Sequence, residues 1–275
     1  MDIAPADDMF IKVEYPLGID PMLLPSIMSK KKAIGANYVV IDIPTGNEAK
    51  IKTTNQAREL AEDFMELGKR LGIHVACGIT FGRQPLGHYI GPALEAKEAL
   101  MTLRGNGPKD VIEKATTLAG ILFETVGKGD KQTAIHLLKS GKAEKKLREI
   151  IEAQGGNPKI QIDDLPIGEK YATVKSAKEG KVLWVKNSEI VMVARRAGAP
   201  LDAGAGIHLN VKLGDKVKKG ETLFTIFSNN YNRLEEALKL AEELKPLVVG
   251  KHYEDKMLLG KMSDISRKRI FMLER

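Results

Sequence analysis

The sequence lacks several features that would assign it to particular classes of protein. It contains one cysteine, Cys77, in 275 residues, which excludes an internal disulfide framework and a cysteine-rich zinc site. No stretch reaches the roughly 18 apolar residues that a membrane-spanning helix needs. The acidic start, MDIAPADDMF, lacks the cationic region of a secretory signal. Aromatic residues make up 5%, so we expect a largely aliphatic core. These absences predict a cytoplasmic globular protein with no membrane partner.

The remaining composition is that of an ordinary globular protein with a modest basic excess. Hydrophobic residues make up 43%, and 43 Lys and Arg against 36 Asp and Glu give a net charge of +7. This length suits one large domain or two modest ones. The positive charge favours anionic ligands. The basic clusters, KKK at 30–32 and SRKR at 266–269, are short and lack interleaved aromatics, as is typical of a solvated surface. We therefore expect no nucleic-acid partner.

Strand and helix patterns alternate in the first half of the chain. The apolar run YVVIDI (38–43) predicts a strand covered on both faces. An amphipathic pattern predicts a helix over 54–71 that ends at Gly72, and IHVACGIT (73–80) predicts a second strand. Strand, helix and strand of these lengths are typical of a βαβ unit, so we expect a parallel sheet. Further helices are predicted over 92–103, 109–126 and 131–153.

The pattern changes near GGNPKIQIDDLP (155–166), which is the best candidate for a domain boundary. Beyond it, strands are predicted at KYATVKSA, GKVLWVKN, EIVMVARRAG, AGIHLNVKLGD and ETLFTIFS. An amphipathic helix follows over 231–244. The sequence thus predicts an α/β domain with a mostly parallel sheet over 1–156 and an α+β domain with a mostly antiparallel sheet over 157–275.

Polar residues stand on either side of the first predicted strand. Asp20, Ser26 and Lys30 lie in IDPMLLPSIMSKKK, and Lys50 lies in the loop TGNEAK after the strand. One interpretation is structural: Ser26 caps a helix and the lysines cover its solvated face. The other is functional, because ligands of an open parallel sheet bind beyond the carboxyl ends of its strands. There, a carboxyl group, a hydroxyl and two cations could protonate a base and hold an anion. The residues alone leave both interpretations open.

Several blocks of the sequence carry a resemblance to one enzyme family. They are APADD (4–8), SIMSKKKAIG (26–35), VVIDIPTGNEAKIKT (39–53), QPLGHYIGPALEAKEAL (84–100) and LRGNGPKD (103–110). These blocks resemble the thymidine/pyrimidine-nucleoside phosphorylase family, and within it the archaeal branch that acts on nucleoside monophosphates. The segment LDAGAGIHLNVKLGDKVKKGETLFTI (201–226) resembles the C-terminal domain of that family. The similarity covers essentially the whole chain.

The resemblance implies a pentosyltransferase with AMP and orthophosphate as substrates and adenine and ribose 1,5-bisphosphate as products. It implies CMP and UMP as other substrates and neither a metal nor an organic cofactor. Carried over to this sequence, the proton donor is Asp20, the nucleotide-binding residues are Ser26 and Lys50, and Lys30 contacts the base. Family members oligomerise, and the oligomeric state of this chain stays open.

One departure from the family pattern concerns the acid. The stretch between Asp20 and Ser26 is shorter than is usual in the family, so the assignment of Asp20 depends on where the gap is placed. Asp7 and Asp8, near the end of an expected strand, are the competing candidates.

Two further departures concern the ligand. The loop reads GNEAK instead of Gly-Ser-Gly-Ala-Lys, and Glu48 adds a charge that can disfavour a nearby phosphate. Glu14 and Tyr15 replace an Arg-Asp pair of the pyrimidine enzymes. This replacement favours the nucleotide branch over a strict thymidine phosphorylase.

The resemblance covers only the later part of the family pattern. The glycine-rich phosphate loop of the family has no counterpart in this sequence, so we expect a truncated chain with little or no phosphorolytic activity alone. The alternatives are a pyrimidine-nucleoside phosphorylase and a catalytically incomplete fragment that binds nucleotide weakly or assembles with a partner. A biotinyl-type carrier is a remote alternative, because the lysines of the 211–228 hairpin lack a carrier motif.

Overall fold

The computed structural model describes residues 23–251, which we treat as a first part (23–156) and a second part (157–251). The first part comprises α1 (Leu23–Ala33), β1 (Tyr38–Thr45), α2 (Thr54–Leu71), β2 (His74–Phe81), β3 (Tyr89–Ile90), α3 (Pro92–Leu103), α4 (Lys109–Thr125), α5 (Lys131–Lys139) and α6 (Lys142–Ala153). The second part comprises a short 3-10 helix (Ile162–Asp164), β4 (Lys170–Lys175), β5 (Gly180–Val185), α7 (Asn187–Ala197), β6 (Gly206–Leu209), β7 (Lys216–Val217), β8 (Thr222–Ser228), α8 (Tyr231–Leu244) and β9 (Leu247–Gly250).

The βαβ unit predicted from the sequence is present as β1, α2 and β2. The two strands pair in parallel along their whole length, from Tyr38 opposite His74 to Thr45 opposite Phe81. A capping box starts α2, and Gly72 ends the helix in the left-handed conformation with φ 70°. Because the pairing is in register, the carboxyl ends of β1 and β2 lie side by side.

A hydrophobic cluster holds α1 and α2 against this parallel pair. The face of α2 toward the strands follows the helical period, with Ala57, Ala61 and Phe64 buried. Met28 is the buried residue of α1 and reaches the same cluster. The cluster as a whole contains Met28, Val39, Ile41, Ile43, Ala57, Ala61, Phe64 and Ile73. It therefore fixes α1 beside the strands whose ends form the site described below.

The second part contains two antiparallel sheets with strand orders β3-β6-β8-β4 and β7-β5-β9, built around a separate aliphatic core. The first of these sheets includes β3, which comes from the first part of the chain. Tyr89 pairs with His208, and Ile90 pairs with Ile207. The combination of helices with a parallel pair and antiparallel sheets confirms the coarse fold class. The division into domains at residues 156 and 157 stays a prediction.

The segment EIVMVARRAG was predicted as a strand and is instead most of α7. Ile190, Val193 and Ala197 are buried at helical spacing, whereas Met192 is 49% exposed. The run of β-branched residues imitates a strand, but the packing against α8 selects the helical face. The prediction was wrong because a short apolar run does not distinguish a strand from a buried helix.

The single helix predicted over 131–153 is two helices, α5 and α6. The break lies at Ser140 and Gly141, and Gly141 has φ 74°. A left-handed glycine at this point stops the first helix and redirects the chain.

Within residues 23–251, no helix has the length and apolar character needed to cross a membrane. The same range contains no group of three or more His, Cys, Asp or Glu side chains that could hold a metal ion.

Candidate functional site

A cavity of about 380 Å³ opens at the carboxyl ends of β1 and β2. Leu23 and Ile27 of α1 line one side, Lys50 in the loop after β1 lines another, and Gln84 comes from the loop after β2. The second part contributes Asn187, the first residue of α7. Open parallel sheets bind ligands at this edge, so the cavity is the leading candidate for the functional site.

Among the predicted site residues that the structure describes, Lys50 lines this cavity. Ser26 and Lys30 are half-buried in α1 and are not among the described residues that line it. They stand three residues after Leu23 and Ile27, which do line it, and side chains three apart on a helix are neighbours. The structure therefore places Ser26 and Lys30 beside the lining of the cavity.

The predicted proton donor, Asp20, lies outside the described residues. The same holds for its competitors Asp7 and Asp8, and for Glu14 and Tyr15. The assignment of the acid stays a prediction.

The sequence analysis did not predict a charged pair, Asp42 and Lys114, that lines the cavity. Asp42 of β1 accepts a hydrogen bond from Thr80 Oγ1 of β2 at 2.6 Å, and its Oδ2 lies 2.5 Å from Lys114 Nζ of α4. Asp42 and Lys114 both line the cavity. The sequence did hold a hint of this site residue, because Asp42 is the one charged residue in the otherwise apolar run YVVIDI. The pair joins α4 to the sheet and presents a positive and a negative group to a ligand.

The loop after β1 is compact. The N–H of Gly46 donates to the carbonyl of Ile51 at 3.0 Å, which closes the loop around Lys50. Gly82, at the end of β2, is packed so closely that a Cβ there would lie 2.8 Å from Cβ of Ala49 and 2.9 Å from the backbone nitrogen of Thr45. Because glycine has no side chain, the loop after β1 can pack closely against the end of β2 at Gly82.

Glu48 in this loop contacts the second part of the chain. Its Oε1 accepts a hydrogen bond from Trp184 Nε1 at 2.7 Å, and its Oε2 accepts one from the backbone N–H of Asn187 at 2.9 Å. Asn187 begins α7, and the amino end of a helix favours a negative charge. The carboxylate that could disfavour a phosphate is thus engaged by two N–H donors.

The loop after β2 is held by Lys212, which comes from the turn that precedes β7. Lys212 Nζ donates to the carbonyl oxygens of Pro85, at 2.6 Å, and Gly87, and it lies 3.1 Å from Asp110 Oδ2. Burial alone would raise the pKa of Asp110. The hydrogen bond and charge of Lys212, together with the N–H of Gly87, outweigh burial and lower it.

A second carboxylate, Glu98 of α3, supports the same loop. It is 6% exposed, and its Oε1 accepts a hydrogen bond from the N–H of His88 at 2.7 Å. Burial raises the pKa of Glu98, and the nearby negative charge of Asp110 adds to the rise, whereas the hydrogen bond from His88 and the charge of Lys212 oppose it. Two carboxylates and one ammonium group thus hold the loop from both parts of the chain.

Comparison with known proteins first shows a similarity to one domain family. Residues 182–246 match the family described as the Pyrimidine nucleoside phosphorylase C-terminal domain. The second part of the chain is therefore similar to a domain of the nucleoside phosphorylases.

Almost the whole chain is similar to AMP phosphorylases. It is 45% identical to that of Thermofilum pendens over 263 residues, which are 95% of this chain and 52% of the relative. It is 53% identical to that of Pyrococcus horikoshii over 256 residues, or 90% of this chain and 51% of the relative. It is 53% identical to that of Thermococcus kodakarensis over 254 residues, which are 90% of this chain and 50% of the relative. These matches confirm the resemblance seen in the sequence, and the chain spans about half the length of these curated relatives.

Proposed function

We propose that this chain acts in the phosphorolysis of nucleoside monophosphates. AMP and orthophosphate give adenine and ribose 1,5-bisphosphate, with CMP and UMP as further substrates. The observation that carries the proposal is the position of Lys50, which lines the cavity at the carboxyl ends of β1 and β2 in a chain about 50% identical to AMP phosphorylases. An ammonium group at this edge of the sheet suits a nucleotide phosphate.

In this reaction, the N-glycosidic bond breaks and its electron pair leaves with the base. An oxygen of orthophosphate forms the new bond to the same sugar carbon. We assign Asp20 as the acid that protonates the departing base, a role that requires a carboxyl group with a raised pKa. Ser26 and Lys50 bind the nucleotide, and Lys30 contacts the base. The reaction needs neither a metal nor an organic cofactor.

We extend the proposal to the organisation of the chain. An α/β domain (1–156) carries the nucleotide-binding residues, and an α+β domain (157–275) contacts both loops at the cavity. Orthophosphate and a nucleoside monophosphate are the partners, and we expect the protein to act in the cytoplasm without nucleic acid. A nucleotide-binding role without turnover is the second candidate, because the chain matches about half the length of its relatives.

Calorimetric titration with AMP and with adenosine tests the proposal. Charge-assisted hydrogen bonds contribute about 1.5–3 kcal/mol, so we expect AMP to bind at least about tenfold more tightly than adenosine. Lys50→Ala should remove most of this preference, and Lys69→Ala, at an exposed position near the end of α2, should keep it. Equal affinities for AMP and adenosine in the unmodified chain would refute the proposal.

A second assay separates the two candidates. Release of adenine from AMP that depends on orthophosphate indicates catalysis by this chain. AMP binding without adenine release supports the binding role.

A further inference from the structure

We propose that Glu48 is a positioning residue that fixes the loop after β1 against α7 and thereby sets the position of Lys50 for the nucleotide phosphate. The inference rests on the proposed function in one respect, namely that Lys50 binds this phosphate. It goes beyond that function because it gives the second part of the chain a role in nucleotide recognition.

The first argument is the number of contacts that meet at Glu48. Both carboxylate oxygens are used, one by Trp184 Nε1 at 2.7 Å and the other by the N–H of Asn187 at 2.9 Å. The backbone carbonyl of Glu48 also accepts a hydrogen bond from Asn187 Nδ2 at 3.5 Å. These contacts join residues 136 and 139 positions apart in the sequence. A glutamate that only kept the surface soluble would not need hydrogen bonds from two N–H donors of the second part.

The second argument is the construction of the loop between the strand and Lys50. Hydrogen bonds from Gly46 N–H to Ile51 O and from Ala49 N–H to Gly46 O, each 3.0 Å long, restrain the backbone of this loop. Glu48 is two residues from Lys50 within this closed loop. Fixing the side chain of Glu48 therefore restricts where the backbone of Lys50 can lie.

The third argument is the amino end of α7. In the described structure, its N-cap residue, Lys186, makes no side-chain capping hydrogen bond. Glu48 supplies a carboxylate to this helix end from elsewhere in the chain, which satisfies a backbone donor and suits the helix dipole. Asn187, which receives that carboxylate, also lines the cavity together with Lys50. Asn187 therefore takes part both in the contact with Glu48 and in the lining of the proposed binding site.

The contact also explains how a loop that contains a glutamate can accept a phosphate. An unengaged carboxylate two residues from Lys50 would compete with the phosphate for the ammonium group and would repel the phosphate. Two N–H donors instead hold the carboxylate toward α7. Removing these donors or the carboxylate should therefore change phosphate recognition more than base recognition.

Trp184 makes this contact measurable, because it is the only tryptophan in the sequence. Its indole N–H donates to Glu48, so tryptophan fluorescence of the full chain reports on this position alone. A shifted emission spectrum in a Glu48 variant would indicate that the contact exists in solution.

The experiment compares Glu48→Ala and Glu48→Gln with Glu59→Ala, a control at an exposed position of α2. Each variant is titrated with AMP and with adenosine, and its thermal unfolding and tryptophan emission are recorded. We expect Glu48→Ala to shift the emission and to weaken AMP binding about tenfold, with adenosine binding changed less than about twofold. Glu48→Gln keeps one acceptor oxygen and should fall between Glu48→Ala and the unmodified chain. The control should match the unmodified chain.

Two results overturn the inference while leaving the proposed function intact. One is an unchanged preference for AMP over adenosine in Glu48→Ala when Lys50→Ala has lost it, even if the unfolding temperature falls. The other is an unchanged tryptophan emission in Glu48→Ala. If Lys50→Ala keeps the AMP preference, the role of Lys50 fails and the positioning role fails with it.

Discussion

The ammonium nitrogen of Lys212 lies 3.1 Å from Oδ2 of Asp110, so that a lysine of the second part pairs with an aspartate at the start of α4. The Lys212 side chain is 12% exposed, and it also donates to two carbonyl oxygens of the loop after β2. One side chain thus neutralises a carboxylate and satisfies two backbone acceptors beside the cavity. The shape of this loop depends on a residue far from it in the sequence.

Replacing Lys212 with methionine should destabilise the protein. Lys212→Met keeps the apolar stem but removes the charge. Asp110 then loses its ammonium partner and keeps the N–H of Gly87, and the carbonyls of Pro85 and Gly87 lose the Lys212 donor. Breaking a buried pair costs about 3–5 kcal/mol, and the partial exposure of Asp110 reduces our expectation to about 2–3 kcal/mol. Urea denaturation measures the loss. Lys219→Met, at an exposed position in the same hairpin, should change stability by less than about 0.5 kcal/mol. Equal losses in the two variants would contradict this assignment.

Asp110 should make the stability sensitive to acid. The folded state lowers its pKa below 3.8, the usual value for aspartate, so Asp110 contributes stability above that pH that is lost as the pH falls through the folded pKa. Asp110→Asn should therefore be less stable than the unmodified chain at neutral pH, and the difference should shrink below about pH 4. Thermal unfolding between about pH 2 and pH 7 measures both curves. Curves that stay parallel throughout would show that the charge of Asp110 is not responsible.

Gly82→Ala should disturb the loop that carries Lys50. The new Cβ would overlap the side chain of Ala49 and the backbone of Thr45, and overpacking of this kind costs about 1–3 kcal/mol. We expect a lower unfolding temperature and weaker AMP binding. Adding Ala49→Gly removes the nearer obstacle and should restore part of both. A Gly82→Ala protein as stable as the original would disprove the close approach.

Limited proteolysis tests the boundary predicted at residues 155–166. Subtilisin should cut there first, because exposed connections between compact parts are the preferred sites of nicking. Arg148 of α6 donates to the carbonyl oxygens of Pro158 and Ile160 and so restrains this segment. Arg148→Gln should therefore make the cut several-fold faster. Preferential cleavage within 39–43, with the 155–166 segment intact, would contradict the division.

The parts of the fold that could be predicted from the sequence are those with local signals. The bounds of α2 follow from its own apolar period and from Gly72, and the two strands beside it are short, mostly apolar segments. β3 has only two residues, and its pairing with β6 depends on a strand much later in the chain. Such an element carries no periodic pattern and could not be predicted.

The site likewise contains features that the sequence indicated and features that it did not. Lys50 was indicated by its position after the first predicted strand and then by the family motif, and the structure places it at the cavity. The contacts of Glu48 with Trp184 and of Lys212 with Asp110 could not be read from the sequence, because each joins residues of the two parts. In physical terms, a side chain's partner across the fold depends on tertiary packing, which no local pattern encodes.

The short strand β3 also covers a sheet edge that belongs to the second part of the chain. Tyr89 and Ile90 cover one edge of β6, pairing with His208 and Ile207. A fragment that began at residue 157 would leave this edge bare, with unpaired backbone donors and acceptors beside apolar side chains. Bare edges of this kind recruit strands from other molecules. Two residues of the first part thus supply the backbone partners that one edge of the second part would otherwise lack.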